Sequence, residues 1–281
     1  MTFHLLRQRL LRELRAILDP IEAQQEVRHW FRDGLGLDDA WMAQHGVESV
    51  PPPTERKVEI WLKRRLHGEP WPMILGWTTF RGRRFKVAKG VLIPQQESET
   101  AVRIAQDVGQ SLGIRRCVDV GTGAGNIGLS LALETDWELT LTEIDPGALS
   151  LAKANGKALG AKAKYLLGDL LKPVPDPIEL VVANMPFVDE SLASGLEIEL
   201  SFEPAVAMLA SDGGIGLSTA LLEEARKRGA RACVIEIGAE QGRRLRQRAL
   251  DQGWPSVSVM QDAKGQDRAI VVRMTSLDSL R

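Results

Sequence analysis

Two short stretches of this 281-residue chain carry the residue types and spacing that chemistry needs. The first, Asp119-Val120-Gly121-Thr122-Gly123-Ala124-Gly125, ends the apolar run Cys117–Val120 and leads into helix-type sequence from Ile127 to Ala132. Glycines let backbone approach a ligand closely, and the free N–H groups of a helix start can face a carboxylate or a phosphate. Glu143 ends the next β-type run, where its carboxylate can accept hydrogen bonds from both hydroxyls of a ribose. Gly168-Asp169 closes a third run, and Asp169 either accepts from an adenine amino group or caps a turn. The stretch Gly123–Gly128 also satisfies the dinucleotide pattern G-x-G-x-x-G. An acid such as Asp119 beside the loop suits the ammonium of a zwitterionic methionine and opposes a pyrophosphate. The loop therefore reads as a site for S-adenosyl-L-methionine ahead of a dinucleotide, with Asp119, Gly121, Thr122, Gly123, Gly125, Glu143, Asp169 and Asn184 as its contacts.

The second stretch, Asn184-Met185-Pro186-Phe187, follows the apolar run Leu180–Ala183. An amide or aromatic amine nitrogen is a poor nucleophile because its lone pair is delocalised, so a site that alkylates it must orient it. The Asn184 oxygen and a backbone carbonyl, that of Met185, can accept its two N–H bonds while Phe187 packs on the flat acceptor. Placement alone can then supply roughly 7–11 kcal/mol of barrier reduction, with no strong base. That fits a chain whose four histidines, His4, His29, His45 and His67, all precede both stretches.

The elements that must position these residues follow from periodicity. Runs at Cys117–Val120, Glu138–Thr142, Lys164–Leu167, Leu180–Ala183 and Ala232–Ile237 alternate with helical stretches, which predicts a parallel sheet covered on both faces. Ser256–Met260 and Ala269–Met274, joined by the turn-rich segment 261–267, predict a terminal antiparallel pair. Upstream, Phe3, Leu6, Leu10, Leu14 and Ile17 mark an amphipathic helix to Leu18. Asp19-Pro20 with Glu22 starts a second helix, running to about Asp33. A short helix spans about 38–45, Pro51-Pro52-Pro53 is read as a stop, and Thr54 caps a helix through Leu66. Short β-type runs from Trp71 to Pro94 predict a hairpin. The expected organisation is thus a helical, substrate-docking domain over 1–70, a β-hairpin linker over 71–94 and an α/β domain over 95–281 that binds the methyl donor.

Composition narrows the classes. The chain is 44% hydrophobic and 26% charged with a formal net charge of -1, as for an ordinary folded protein without general affinity for nucleic acid. Two cysteines, Cys117 and Cys233, lie inside apolar runs, which disfavours disulfides and cysteine-based metal sites. No apolar run approaches a membrane span and no leader is evident, so a cytoplasmic location is the default. Five of the seven tryptophans fall between Trp30 and Trp77, and Arg81, Arg83, Arg84, Lys86 and Lys89 crowd the hairpin. Core packing and a solvated hairpin are the readings taken, a docking surface being the other.

The chain resembles the HemK/PrmC family of protein-(glutamine-N5) methyltransferases. The likeness runs through Val91-Leu92-Ile93-Pro94, Ser98-Glu99, Asp119–Gly125, Ala148–Asn155, Phe202-Glu203-Pro204, Glu236-Ile237-Gly238 with Gln241-Gly242, and Gly265-Gln266-Asp267-Arg268. It implies a class I S-adenosylmethionine-dependent methyltransferase fold: a Rossmann-like, mostly parallel seven-stranded sheet with a C-terminal antiparallel pair, plus a small N-terminal helical bundle. It also implies a protein partner, the glutamine of the Gly-Gly-Gln motif in a peptide-chain release factor. The family's N-P-P-Y stands here as Asn184-Met185-Pro186-Phe187, and its P-R-P-x-T-E as Pro94-Gln95-Gln96-Glu97-Ser98-Glu99. A nucleic-acid amino methyltransferase of the adenine-N6 type, or a donor-binding module with lost catalysis, are the competing expectations.

Overall fold

A computed structural model describes residues 1–191, 202, 207–262 and 265–275. The chain divides into two compact units, Met1–Gly76 and Trp77–Arg281.

The first unit is helical: α1 (Phe3–Leu14), α2 (Pro20–His29), a π-helical turn Trp30–Leu35, α3 (Asp39–His45), α4 (Pro52–Leu66) and α5 (Trp71–Leu75). Phe3, Leu6, Leu10 and Leu14 form the buried stripe of α1. The helix stops at Leu14 rather than Leu18, because Ala16 and Ile17 bond back to the carbonyls three residues earlier and tighten the chain into a turn. Asp19 then caps α2 with the full capping box to Glu22. The three prolines do not end a helix; they begin one. Pro51 is the N-cap of α4 and Pro52 its first residue, where a missing N–H costs nothing, so Thr54 lies inside the first turn and caps nothing. Trp71–Leu75 is a helix where β structure is expected, since Trp71 and Ile74 are drawn into the core. There Trp30 stacks on Trp71 at 4.8 Å and meets Trp61 edge-on at 6.0 Å. These three tryptophans are buried core residues.

The second unit opens with a hairpin, β1 (Trp77–Phe80) and β2 (Arg83–Lys86), in antiparallel register. Val91-Leu92-Ile93, after the hairpin, is irregular, and Val91 packs with Ala124 and Ala148. After a 3-10 turn at Gln96–Ser98 the elements are α6 (Glu99–Leu112), β3 (Arg116–Val120), α7 (Asn126–Glu134), β4 (Glu138–Glu143), α8 (Pro146–Leu159), β5 (Ala163–Leu167), β6 (Leu180–Asn184) and β7 (Val188–Asp189). Then come β8 (Leu209–Ala210), the single turn α9 (Ser211–Gly214), α10 (Gly216–Lys227), β9 (Ala232–Glu236), α11 (Gly242–Asp251), β10 (Ser256–Gln261) and β11 (Asp267–Arg273). Seven strands form one sheet in the order β10-β11-β9-β6-β3-β4-β5. All its pairs are parallel except those of β11, which runs antiparallel between β9 and β10.

The two-residue period of a strand explains how the sheet is held. Val181 and Ala183 of β6 face one apolar layer with Val118, Leu221 and Leu245, while Leu180 and Val182 face the other with Ile104, Leu129 and Leu141. Both faces are covered, as the near-continuous apolar runs predict. In this register the carboxyl ends of β3, β4, β6 and β9 sit side by side: Val120 beside Thr142 and Ala183, and Asn184 beside Glu236. The basic hairpin is not simply solvated. Arg81 and Arg83 both bind the Glu134 carboxylate at the end of α7, with closest approaches of 2.5 Å, and Gln106 of α6 donates to it at 3.0 Å. Those three donors hold the Glu134 carboxyl down at about 2 against the opposing effect of burial.

Candidate active site

β3 delivers the chain into a loop whose glycines take left-handed backbone, φ 66° at Gly121, 55° at Gly123 and 85° at Gly125. Side chains rarely adopt that region, and a Cβ at Gly125 would also stand 2.7 Å from Leu129. Three polar anchors fix the loop. Asp119 Oδ2 accepts from the Thr122 hydroxyl at 2.5 Å and from the Gly128 N–H at 2.9 Å, tying the loop to the first turn of α7. Glu143 Oε2 accepts the Gly123 N–H at 2.9 Å, while Oε1 accepts the N–H groups of Ile144 and Asp145. Asn155 of α8 donates to the carbonyls of Ala124 and Lys86 and accepts the Lys86 N–H, joining loop and hairpin. Burial pushes the Asp119 carboxyl up to about 7, the Thr122 and Gly128 hydrogen bonds pulling the other way.

These elements enclose a cavity of about 310 Å³, within the usual size range of small-molecule sites. Its walls include Gly121, Thr122, Gly123, Glu143, Asp169, Asn184, Met185 and Pro186, so the two stretches singled out in the sequence meet in one place. Asp119 lines it too, although one carboxylate oxygen is spent on the loop. Asp169 binds Lys172 through Oδ2 at 2.5 Å. Gly125 is not a wall residue; it starts α7 behind the loop. Nor is Phe187: its carbonyl accepts from Gln241 at 2.7 Å, and its ring lies beside Gly238. Of the further cavity residues, Ile144 is 60% exposed, an apolar side chain held open beside Glu143. Val91, Ile93 and Pro94 line it as well.

Asn184 is the last residue of β6, and its Nδ2 donates to the Ser98 hydroxyl at 3.1 Å. Ser98 in turn hydrogen-bonds the Glu236 carboxyl, which burial pushes up to about 7. Met185 is buried in the layer beneath the sheet with its sulfur against Gly121, so the residue in place of the family's first proline braces the glycine loop. Ser98, Asn155 and Glu236 fall within motifs that carry the resemblance, yet sequence reading assigns none of them a role in the site. The signal for Glu236 was present: an acid inside the otherwise apolar run Ala232–Ile237 has to be buried for a purpose. Of the motif Phe202-Glu203-Pro204, the last two residues lie outside those described, as do Ala263 and Lys264 of the turn before β11.

Residues 9–76 match the PrmC N-terminal domain and residues 103–222 the methyltransferase small domain. The chain is 34% identical over 212 residues to the release factor glutamine methyltransferase of Bordetella pertussis, covering 73% of this chain and 77% of that one. It belongs to that family. A second member, from Cereibacter sphaeroides, is 31% identical over 90% of this chain and 92% of its own length. The methyltransferase therefore uses a methyl donor of the S-adenosylmethionine type. Its fold is shared with the catalytic domain of human METTL16 bound to an RNA hairpin, with TM-score 0.59 and 15% identity over 80% of this chain and 82% of that one. The same holds for the N-terminal domain of human METTL16 bound to SAH, with TM-score 0.52 and 18% identity over 82% of this chain and 85% of that one. At such identity the likeness is one of fold. Among the described residues no helix is long and apolar enough to cross a membrane.

Proposed function

We propose that this methyltransferase transfers a methyl group from S-adenosyl-L-methionine to the side-chain amide nitrogen of a protein glutamine, the Gly-Gly-Gln glutamine of a peptide-chain release factor in the cytoplasm. The observation that carries the reading is the commitment of the Asn184 amide nitrogen to Ser98. That contact leaves the Asn184 oxygen as the acceptor on the cavity side, which is what a primary amide donor requires.

The donor supplies an electrophilic methyl carried on sulfonium. Gly121 and Gly123 bring bare backbone to the cavity, Glu143 takes one ribose hydroxyl on the lone pair left to Oε2, and Ile144 offers a flat apolar side to the adenine. Asp169 stands where it can accept from the adenine amino group. Asn184 Oδ1 and the Met185 carbonyl accept the two N–H bonds of the glutamine amide and hold its nitrogen toward the methyl carbon. With the donor bound, the nitrogen would attack in line as the methyl–sulfur bond breaks, S-adenosyl-L-homocysteine would leave as the thioether, and the proton shed by the nitrogen would pass to solvent. Holding the reacting atoms at roughly 3–3.5 Å is the main catalytic contribution, so no strong base is needed. Pro186 stiffens the turn after Asn184, and the helical unit, matching the PrmC N-terminal domain, is assigned to docking the release factor.

Incubation with labelled donor and a release factor, followed by peptide mass spectrometry, tests the reading. A single methyl on the Gly-Gly-Gln glutamine is expected. Protein that binds donor but leaves that glutamine unmodified would overturn it.

A further inference from the structure

Glu236 ends β9 directly beside Asn184, and Ser98 stands between their side chains. Both Ser98 and Glu236 are buried, at 1% and 6% exposure. A serine hydroxyl has one proton to give. A carboxylate can only accept, so an ionised Glu236 takes that proton, and Ser98 is left with lone pairs alone to offer Asn184. Only the NH2 end of the Asn184 amide can bind a lone pair, so the oxygen is turned outward. We propose that Ser98 and Glu236 are positioning residues that form a one-way hydrogen-bond relay, selecting which end of the Asn184 amide faces the methyl acceptor. This rests on the role given to Asn184 above.

A further observation supports the relay. Glu236 Oε2 is buried and finds no hydrogen-bond partner among the described residues. Native structures rarely keep such a group, and a fold needing only packing there would do better with an apolar residue. The relay is also reversible by one proton. A protonated Glu236 can donate to Ser98, freeing the serine proton for the Asn184 oxygen; the amide then turns over and presents N–H donors to an acceptor that brings N–H donors itself. Transfer should fall as Glu236 is protonated, and burial holds that titration near 7. Glu97 on the Gln96–Ser98 turn pushes it up, while Arg268 at the start of β11 and the Ser98 hydrogen bond pull it down. Glu99 of α6 is turned away, accepting the Arg81 N–H, and β6 contributes only the neutral Asn184.

The test is single-turnover transfer to the release factor at saturating donor, followed across pH 5.5–8.5, about 1.5 pH units either side of that midpoint. The native protein should gain rate through a midpoint near 7. Glu236→Gln, whose amide can present either end to Ser98, should lose about 10–100-fold in rate and the pH step with it, with donor affinity within about twofold. Ser98→Ala should show the same loss, and Ser98→Thr should restore the rate and the step. Native rate and pH profile in Glu236→Gln would overturn the relay. If that variant does not fold, the Ser98 pair decides in its place. Should the native protein leave the release factor unmodified, the proposed substrate fails but the relay is still judged, by the side-chain amide resonances of Asn184 in NMR. They should titrate near pH 7 in the native protein and not in Ser98→Ala; resonances that ignore pH would sink the relay.

Discussion

The Gly123 N–H donates to Glu143 Oε2 across 2.9 Å, so the acid that ends β4 also holds the loop that follows β3. Glu143 thus shapes the floor of the site as well as offering an oxygen to a ribose. Replacing it with alanine should weaken S-adenosylhomocysteine binding about 10–100-fold, the usual worth of one or two hydrogen bonds to a charged group. Calorimetry reads this directly, and unchanged affinity would remove Glu143 from the donor site.

Asn184→Ala separates chemistry from donor binding. Its oxygen acts on the acceptor nitrogen, so the transfer rate should fall roughly 10²–10³-fold, as when one preorganised polar contact to the reacting group is lost. Donor affinity should fall far less than the rate, because Gly121, Gly123, Glu143 and Asp169 still line the cavity. A variant that methylates normally would show that the acceptor nitrogen is held elsewhere.

Gly128 sits where α7 crosses the end of β3, and a Cβ there would lie 2.7 Å from Asp119 Oδ2 and 2.9 Å from Leu141. Neither neighbour is a free side-chain end: Asp119 is bonded twice and Leu141 is fully buried. Gly128→Ala should cost about 1–3 kcal/mol by overpacking and lower the melting temperature. It should also weaken donor binding, because the strain falls on the loop anchor.

Glu134→Gln tests the hairpin clamp. The folded carboxyl titrates at about 2, below its ordinary value of 4.5, so its stabilisation is complete above about 4.5 and is lost as pH falls through 2. At pH 7 the variant should be less stable by about 1–3 kcal/mol, discounted because the cluster is partly exposed. In urea unfolding the gap between the two proteins should narrow as pH is lowered toward 3; a gap independent of pH would mean that packing, not charge, is what the variant disturbs.

Much of this molecule can be read from its letters, and the parts that cannot share a cause. Strands buried on both faces announce themselves as runs such as Leu180–Ala183, and a glycine loop between such a run and a helix needs no tertiary information. Pro51–Pro53 misleads because the same residue ends one helix and begins another, and only the position of Val58, Trp61 and Leu62 on the buried face decides which. Asp119 is expected to face the ligand, yet one of its oxygens is drawn to Gly128, a contact that exists only once α7 has docked. Ser98 and Glu236 carry no local pattern that joins them to Asn184. They meet through the parallel register of β6 and β9 and through a contact 86 positions apart in the chain.

The Asn155 knot has a consequence for how the molecule is made. Its amide closes on Ala124, 31 positions earlier, and on Lys86, 69 positions earlier, so the donor loop leaves the ribosome well before the group that ties it down. Until α8 has been synthesised and has found its place, the loop lacks one of its three anchors and the hairpin lacks its tether. Contacts of such separation form late because chain closure must precede them. Assembly of the methyl-donor pocket is accordingly a closing event of folding, and a chain halted before residue 155 should leave the donor unbound.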